Sequence, residues 1–142
     1  MEADELRALC HRFYSEVFNQ GKLDLIDEMM ADDFVEHEEM PGMPTDKEAP
    51  RMFIGMMRDA FPDANATIED MVVEGNTVAV RARMSGTHKG EFMGIPPTGN
   101  KFDVQAIDII MFRDGKAIAH WGVTDSMTMM QQLGVIDEGP RA

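Results

Sequence analysis

The fold is decided by the stretch GTHKGEFMGIPPTGNKFDVQAIDIIMFRDGKAIAHWGVTD, which runs from Gly86 to Asp125. Its second half alternates apolar and polar residues in two long runs on either side of Asp114-Gly115. Alternation with a period of two indicates strands, and an Asp-Gly pair between two such runs is typical of a tight hairpin turn. The stretch therefore predicts an antiparallel hairpin that follows an apolar loop rich in glycine and proline.

Outward from this hairpin, the rest of the chain predicts helices first and strands afterwards. Apolar residues recur at every third or fourth position before Pro62 and at every second position after it. Helices followed by an antiparallel sheet form an α+β fold, and we expect a single domain over residues 1–142. The predicted elements are helices over 2–19, 23–30 and 49–61, a brief strand over 34–37, and strands over 67–74, 77–88, 101–113 and 116–124.

The composition excludes several classes of partner. The chain has 13 basic and 26 acidic residues, with a net charge of -13 and no stripe of Lys or Arg. This balance disfavours binding to nucleic acid or to an anionic membrane. No apolar run approaches the ~18 residues of a membrane span, and no basic segment precedes an apolar one at the N-terminus. Cys10 lies at an apolar helical position, where we expect core packing, so the chain is predicted to be cytoplasmic.

The two faces of the predicted hairpin have different roles. If the turn has two residues, Arg113 faces Lys116, and Asp108 then lies opposite Trp121. Both faces are apolar at their centres, and the three helices can cover only one of them. We expect Asp108, Trp121 and Asp125 on the face that meets the helices and a pocket. The other face, which includes His120, is expected to join two subunits as a homodimer.

Two carboxylates are candidates for acid or base chemistry. Burying Asp108 in an otherwise apolar strand costs free energy unless the carboxyl group is neutral or hydrogen-bonded. Such an environment suits a group that takes up and returns a proton. The alternative for Asp108 is a structural bond to Tyr14. Asp125 lies roughly 13 Å further along the sheet, at ~3.3 Å per residue, so the two cannot share a proton. The alternative for Asp125 is an N-cap of the helical run that follows it.

Two histidines are candidates to assist a carboxylate. His88 ends the apolar side of its strand, so we expect a pocket group there, with loop capping or solvent exposure as alternatives. His37 follows the brief strand, where a pocket rim and a plain surface position are equally compatible with the sequence. His120 falls on the predicted dimer face and is a weaker candidate. Since no two histidines have metal-binding spacing, we predict no metal and no cofactor.

Fifteen methionines are a high share for 142 residues. Methionine adapts its shape to irregular apolar space, so the content indicates either a plastic core or a cavity for an apolar ligand. Large apolar and aromatic residues from every predicted layer are candidates to bind such a ligand. They are Tyr14, Phe34, Phe53, Met57, Met84, Phe92 and Trp121.

Several segments together resemble the SnoaL-like polyketide cyclase family of the nuclear transport factor 2-like superfamily. They are AFPDA (60–64), GTHKGEFMGIPPTG (86–99), IDIIMFRDGKAIAHW (107–121) and QQLG (131–134). The resemblance implies a cone-shaped α+β barrel, in which a curved antiparallel sheet is wrapped by three helices around an apolar pocket, and a homodimer joined through the sheets. It also implies cofactor-free aldol ring closure by an Asp with a nearby His. Asp125 or Asp108 matches the acid, and His88 or His37 matches the histidine.

The leading hypothesis is therefore a cofactor-independent lyase or isomerase. It would transfer a proton, or close a ring by intramolecular aldol chemistry, on an apolar cyclic or polyketide-like small molecule. One alternative is a non-catalytic dimeric domain that binds an apolar ligand without turnover. Another is water addition of the epoxide hydrolase type, which would require an Asp pair bridged by an Arg that the predicted pocket face lacks.

Overall fold

The structure is a computed structural model that describes residues 1–38 and 40–136. Within these residues the α+β fold class is confirmed, with helices placed before and after a five-stranded sheet. The elements are α1 (Ala3–Arg12), a π-helical segment (Phe13–Asn19), α2 (Leu25–Met29), β1 (Met30–Glu36), α3 (Glu48–Ala60), β2 (Asn65–Glu74), β3 (Thr77–Thr87), β4 (Lys101–Arg113), β5 (Lys116–Thr124) and α4 (Ser126–Leu133).

The predicted strand boundaries are most accurate at the hairpin. β4 and β5 begin and end at the predicted residues. Asp114 and Gly115 both have positive φ, of 50° and 81°, as the tight turn between twisted strands requires. The first helix differs from its prediction, since it is α-helical to Arg12 and π-helical from Phe13 to Asn19. No helix in the described part of the chain is long and apolar enough to cross a membrane.

The sheet has the strand order β1-β5-β4-β3-β2. Its four C-terminal strands pair antiparallel with their neighbours, as predicted. β1 pairs with β5 in parallel, so the sheet is mixed, and β1 and β2 form its two open edges. The parallel pairing places the end of β1 beside the middle of β5, where Glu36 is the partner of His120.

One face of the sheet holds the core, and the other is open. Buried side chains from α1, α3 and the strands form a single apolar cluster that includes Leu6, Met57 and Phe102. Cys10 is only 2% exposed, which confirms its predicted place in the core. The open face carries large exposed apolar residues that no helix of the described chain covers. They are Val72, Ile107, Ile109, Trp121 and Val123.

A β-bulge in β5 overturns the predicted register of the hairpin. Arg113 faces Lys116 as expected, but the pairing shifts after Phe112 and Ala117, so that Met111 pairs with Ala119. Ile118 is the extra residue on β5. A shift of one residue moves every later side chain to the opposite face of the sheet. The predicted pairing of Asp108 with Trp121 is therefore wrong, because Asp108 pairs with Gly122.

Candidate active site

A cavity of about 150 Å³ lies between the helices and the covered face of the sheet. Its polar groups gather where β1, β4 and β5 meet, and the rest of its wall is apolar. Methionine supplies five of the lining residues, which supports the interpretation of the methionine content as a ligand cavity. The polar lining consists of Tyr14, Glu36, Glu38, Asp108, His120 and Thr124, and the large apolar lining residues include Phe13, Phe18, Met29, Met30, Phe34, Met40, Met43, Phe53, Met84 and Phe112.

The π-helical segment forms one wall of this cavity. Phe13, Tyr14 and Phe18 all belong to it, and all three line the cavity. A π-helical turn is wider than an α-helical turn, and such turns are rare and frequent at functional sites. Tyr14, the second residue of this segment, donates a hydrogen bond to Asp108 on the opposite wall.

Four polar side chains form a continuous hydrogen-bonded chain at the polar end of the cavity. His120 contacts two carboxylates, with Nδ1 2.6 Å from Glu36 Oε2 and Nε2 2.7 Å from Asp108 Oδ1. The Tyr14 hydroxyl donates to the other oxygen of Asp108, Oδ2. Both oxygens of Asp108 and both nitrogens of His120 are therefore engaged, which fixes the orientation of both groups in the cavity wall.

His120 carries the positive charge among these four hydrogen-bonded side chains. Burial disfavours its imidazolium form, but the hydrogen bonds to Asp108 and Glu36 and the charges of these carboxylates outweigh that effect and raise the pKa of His120 to about 10. A protonated histidine donates from both ring nitrogens, which matches the two carboxylate contacts. We infer that His120 is an imidazolium at neutral pH, held between two carboxylates.

Two other groups of the cavity wall are held neutral. Burial, followed by the charge of Asp108 and the hydrogen bond to it, raises the pKa of Tyr14. Tyr14 is consequently a hydroxyl donor at any working pH. Burial also raises the pKa of the Cys10 thiol to about 12, with a smaller contribution from Asp108. Since the thiolate is the reactive form of cysteine, Cys10 is an inert part of the wall.

A third carboxyl group, that of Glu38, lies beside the hydrogen-bonded chain. One oxygen of the half-buried Glu38, one of Asp108 and one ring nitrogen of His120 lie within 4.8 Å of one another. These residue types are metal ligands, but both His120 nitrogens already contact carboxylates, so a metal would have to displace one of them. Gly122 lies beneath this group, and a Cβ there would be 2.5 Å from Glu38 Oε2 and 2.7 Å from Asp108 Oδ1.

Comparison with known proteins identifies the family. The family model for the SnoaL-like polyketide cyclases matches residues 8–133. This chain belongs to that family. It is 28% identical over 120 residues to nogalonic acid methyl ester cyclase of Streptomyces nogalater, across 82% of this chain and 89% of that protein. It is 32% identical over 127 residues to aklanonic acid methyl ester cyclase AcmA of Streptomyces galilaeus, across 84% of each.

Solved structures show the same fold as this SnoaL-like chain. TsrD from Streptomyces laurentii superposes with a TM-score of 0.86 at 27% identity, covering 96% of this chain and 99% of that one. IdmH from Streptomyces antibioticus superposes with a TM-score of 0.80 at 37% identity, covering 92% of this chain and 99% of the other. Sequence, family model and fold therefore agree over nearly the whole chain.

The structure brings some of the predicted site residues of this SnoaL-like chain together. Asp108 lies in the cavity wall, in contact with both Tyr14 and His120. The predicted bond between Asp108 and Tyr14 is thus present, and it belongs to the site. Four of the predicted ligand-binding residues line the cavity, namely Tyr14, Phe34, Phe53 and Met84.

Asp125 lies outside the cavity. Its side chain accepts a hydrogen bond of 3.2 Å from the backbone N–H of Thr128 and so caps the N-terminus of α4. The pocket placement expected for Asp125 is wrong, since the strand ends before this residue and its carboxylate is engaged by the helix. The alternative prediction of an N-cap is confirmed.

His88 is fully buried, but it lies in the core and not in the cavity. Its Nδ1 is 3.1 Å from Thr98 Oγ1, and its ring packs 5.4 Å from that of Phe61. Backbone bonds to Asn100 and Gly99 further tie His88 to the loop after β3. His88 therefore caps this loop, which is one of the two alternatives given for it. Met57 and Phe92 are core residues as well, so their expected place in the cavity is wrong.

His37 and Trp121 lie together on the open face of the sheet. Their rings are stacked 4.5 Å apart and nearly parallel. His37 is exposed, which is the plain surface alternative, and Trp121 is 38% exposed. The pocket position expected for Trp121 is wrong because of the bulge at Ile118, which turns Trp121 outward and His120 inward. The expected dimer-face position of His120 is wrong for the same reason.

Glu36 and Glu38 are cavity residues that the sequence analysis missed. They end β1 and follow it, so their place depends on a parallel pairing with a strand far along the chain. One signal in the sequence indicates the crowded site. Gly122 is a glycine within a strand, and such a glycine often marks a bulge or the close approach of other groups.

Proposed function

We propose that this protein is a cofactor-independent lyase or isomerase that closes a ring in an apolar, polyketide-like substrate by intramolecular aldol chemistry. One observation carries the proposal: Asp108 stands in the wall of an apolar cavity, with one oxygen bound to His120 and the other to Tyr14. The relatives named for nogalonic and aklanonic acid methyl esters support a substrate of this class.

Asp108 is the base in the proposed reaction. Its carboxylate removes a proton from a substrate carbon next to a carbonyl group, and the C–H electron pair forms an enolate. The enolate carbon then attacks a second carbonyl carbon of the same molecule, which closes the ring. The new alkoxide finally takes up a proton. Because all atoms are retained, substrate and product are isomers.

His120 balances the charge that moves during this step. Negative charge passes from Asp108 to the enolate as the proton is transferred. The His120 imidazolium, 2.7 Å from Asp108, stays positive while the negative charge leaves that carboxylate. When an apolar ligand excludes water from the cavity, a fixed charge there stabilises the transition state more strongly than the same charge in solvent. Glu36 holds the ring in place through the other nitrogen.

The cavity also bears on the alternatives. No arginine is among the described residues that line it, so the Arg-bridged Asp pair expected for epoxide hydrolysis lacks its cation. A non-catalytic ligand-binding domain has no use for a buried imidazolium between two carboxylates, since such charged groups are costly to bury. Turnover separates that alternative from the proposal.

The proposed function is tested with the esters for which the relatives are named. Purified protein is incubated with aklanonic acid methyl ester or nogalonic acid methyl ester, and the mixture is resolved by chromatography with mass detection. We expect a product of unchanged mass and changed retention, formed at a rate proportional to protein. Binding of both esters without any product would favour the non-catalytic alternative.

Replacing Tyr14 with Phe is expected to lower kcat by about 10- to 100-fold, because Asp108 loses a donor that orients it. The change removes only the hydroxyl group, so KM should stay near the wild-type value. Steady-state kinetics with the turned-over ester provides the measurement. His11→Ala, at an exposed position of α1 outside the cavity lining, is the control and should keep the wild-type kcat. A Tyr14→Phe variant with wild-type kcat would contradict the role given to the hydroxyl.

We further propose that the protein is a cytoplasmic homodimer joined through the open face of the sheet. Val123, 75% exposed, pairs with Ile107 on that face. A Glu at position 123 would place two charges in a two-fold interface, so we expect Val123→Glu to weaken the dimer by about 100-fold. Sedimentation equilibrium measures this, with Met127→Glu on exposed α4 as the control. A monomeric wild type would refute the dimer.

A further inference from the structure

We propose that Glu38 is a second proton-transfer residue of this site, which protonates the alkoxide formed on ring closure. Glycine at position 122 has no side chain and so leaves the space in which this transfer takes place. The inference rests on the proposed aldol reaction and adds a group to it. It separates two tasks: Asp108 takes a proton from carbon, and Glu38 gives one to oxygen.

The placement of Glu38 differs from that of the other carboxylates. Its backbone N–H donates to Glu36 Oε2 at 3.2 Å, which fixes the chain as it leaves β1 and turns the Glu38 side chain toward the cavity. Glu36 and Asp108 are both hydrogen-bonded to His120. Among the described residues, the Glu38 carboxyl group has no hydrogen-bond partner. All of its hydrogen-bonding capacity is therefore available to a ligand, whereas Asp108 also holds Tyr14 and His120.

Gly122 explains how two carboxyl groups can approach each other here. It is the β5 partner of Asp108. A Cβ on Gly122 would lie 2.5 Å from Glu38 Oε2, 2.7 Å from Asp108 Oδ1 and 2.8 Å from His120 Cε1. Real Cβ atoms do not come this close to other heavy atoms. Any side chain at this position would displace the groups that meet above it, whereas glycine leaves their meeting point open.

The surroundings of Glu38 favour its acid form. Burial, the largest influence, raises its pKa, the charge of His120 lowers it, and the charges of Asp108 and Glu36 raise it, with a net upward shift. Tyr14, the remaining ionisable group that faces Glu38 among the described residues, is a neutral hydroxyl. An apolar ligand would exclude further water from the cavity and favour the neutral carboxylic acid still more.

Asp108 and Glu38 together complete a reaction cycle in which every proton is accounted for. As the enolate carbon bonds to the second carbonyl carbon, the π electrons of that carbonyl move to its oxygen, and Glu38 donates its proton there. Asp108 is then a carboxylic acid and Glu38 a carboxylate. One oxygen of each lies within 4.8 Å of the other, a separation that a single water can bridge, so one proton passed through that water restores both. No net proton enters or leaves, as an isomerisation requires.

The kinetic test uses Glu38→Gln with aklanonic acid methyl ester as the probe. We expect kcat to fall by about 10- to 100-fold with little change in KM, because the amide keeps the shape but supplies no acidic proton. The wild-type rate should fall as rising pH removes the Glu38 proton, and this limb of the pH profile should vanish in the variant. Glu69→Gln, at an exposed position of β2, is the matched control and should have the kcat and pH profile of wild type.

A second readout does not depend on turnover. Carbon NMR of the labelled glutamate carboxyl groups follows their titration, and Glu38→Gln identifies the Glu38 signal by its loss. We expect the Glu38 midpoint above those of the surface glutamates, and a lower midpoint in Asp108→Asn, where a neighbouring negative charge is gone.

The outcomes separate the two claims. If wild type closes the ring and Glu38→Gln keeps the wild-type kcat and pH profile, the role of Glu38 is refuted and the proposed function stands. A Glu38 signal that titrates with the surface glutamates refutes that role as well. A wild-type protein that turns over neither ester removes the proposed function, and this inference with it.

Discussion

Asp108→Asn is expected to lower kcat for ring closure by about 1,000-fold, with KM near the wild-type value and with cooperative thermal unfolding retained at a lower Tm. The reason is that Asn keeps the size of the side chain and an oxygen that accepts from Tyr14, but it cannot take up a proton from carbon. A loss confined to kcat indicates a group that acts in the transition state and not in ligand binding. Steady-state kinetics and circular dichroism melting provide the two measurements.

Asp125→Asn is the control for this experiment. Asp125 caps α4 outside the cavity, and Asn is an equally good N-cap, so we expect kcat within about two-fold of wild type. The pair of variants decides between the two acids that the sequence left open. Equal losses in both variants, or an active Asp108→Asn protein, would show that the base lies elsewhere.

His120→Ala is expected to lower the free energy of unfolding by about 3–5 kcal/mol at neutral pH. The substitution leaves Glu36, only 8% exposed, without its charged partner, and it removes a partner of Asp108. Removing one member of a buried charged pair is costly chiefly because the remaining charge stays buried and unpaired. Urea denaturation followed by circular dichroism measures the difference.

The pH dependence of this difference has a definite sign. The folded protein raises the pKa of His120 from 6.5 to about 10, so the folded state binds this proton more tightly than the unfolded state. The stabilisation is complete below about pH 6.5 and is lost as pH rises through about 10. Wild type and His120→Ala should therefore converge in stability as the pH approaches 10.

Two further variants test whether the unpaired Glu36 carboxylate causes the loss of stability in His120→Ala. Glu36→Gln combined with His120→Ala should recover part of the lost stability, because the amide is cheaper to bury unpaired than a carboxylate. His11→Ala, at an exposed position of α1, should change the stability by less than about 0.5 kcal/mol. If His120→Ala were as stable as wild type across the pH range, the imidazolium between two carboxylates would be the wrong description.

Much of the fold could be predicted because local chemistry determines it. The Asp114-Gly115 turn has a backbone shape that few residue pairs adopt, and it fixed the ends of β4 and β5. The π-helical segment could not be predicted in this way, because an apolar pattern of only seven residues fits an α-helix as well. The parallel pairing of β1 depends on a distant strand, and the residues of β1 do not reveal it.

The site was predicted in part, and one residue accounts for most of the difference. Asp108 was placed correctly because β4 keeps its alternation and the cost of a buried carboxylate is a local argument. Ile118 could not be recognised as an extra residue, since it is apolar like the residues around it. Because of the bulge, His120 faces the cavity and Trp121 faces the open surface, which is the reverse of the prediction. Gly122 was the available clue.

We place the removal of a proton from the substrate carbon in the Asp108 cavity. A crystal structure of Asp108→Asn soaked with aklanonic acid methyl ester tests it most directly, because the variant should bind the ester without consuming it. We expect the ester between the π-helical segment and β4, with its enolisable carbon against the side chain at position 108. An ester bound on the open face of the sheet, or in the cavity with that carbon turned away from position 108, would contradict it.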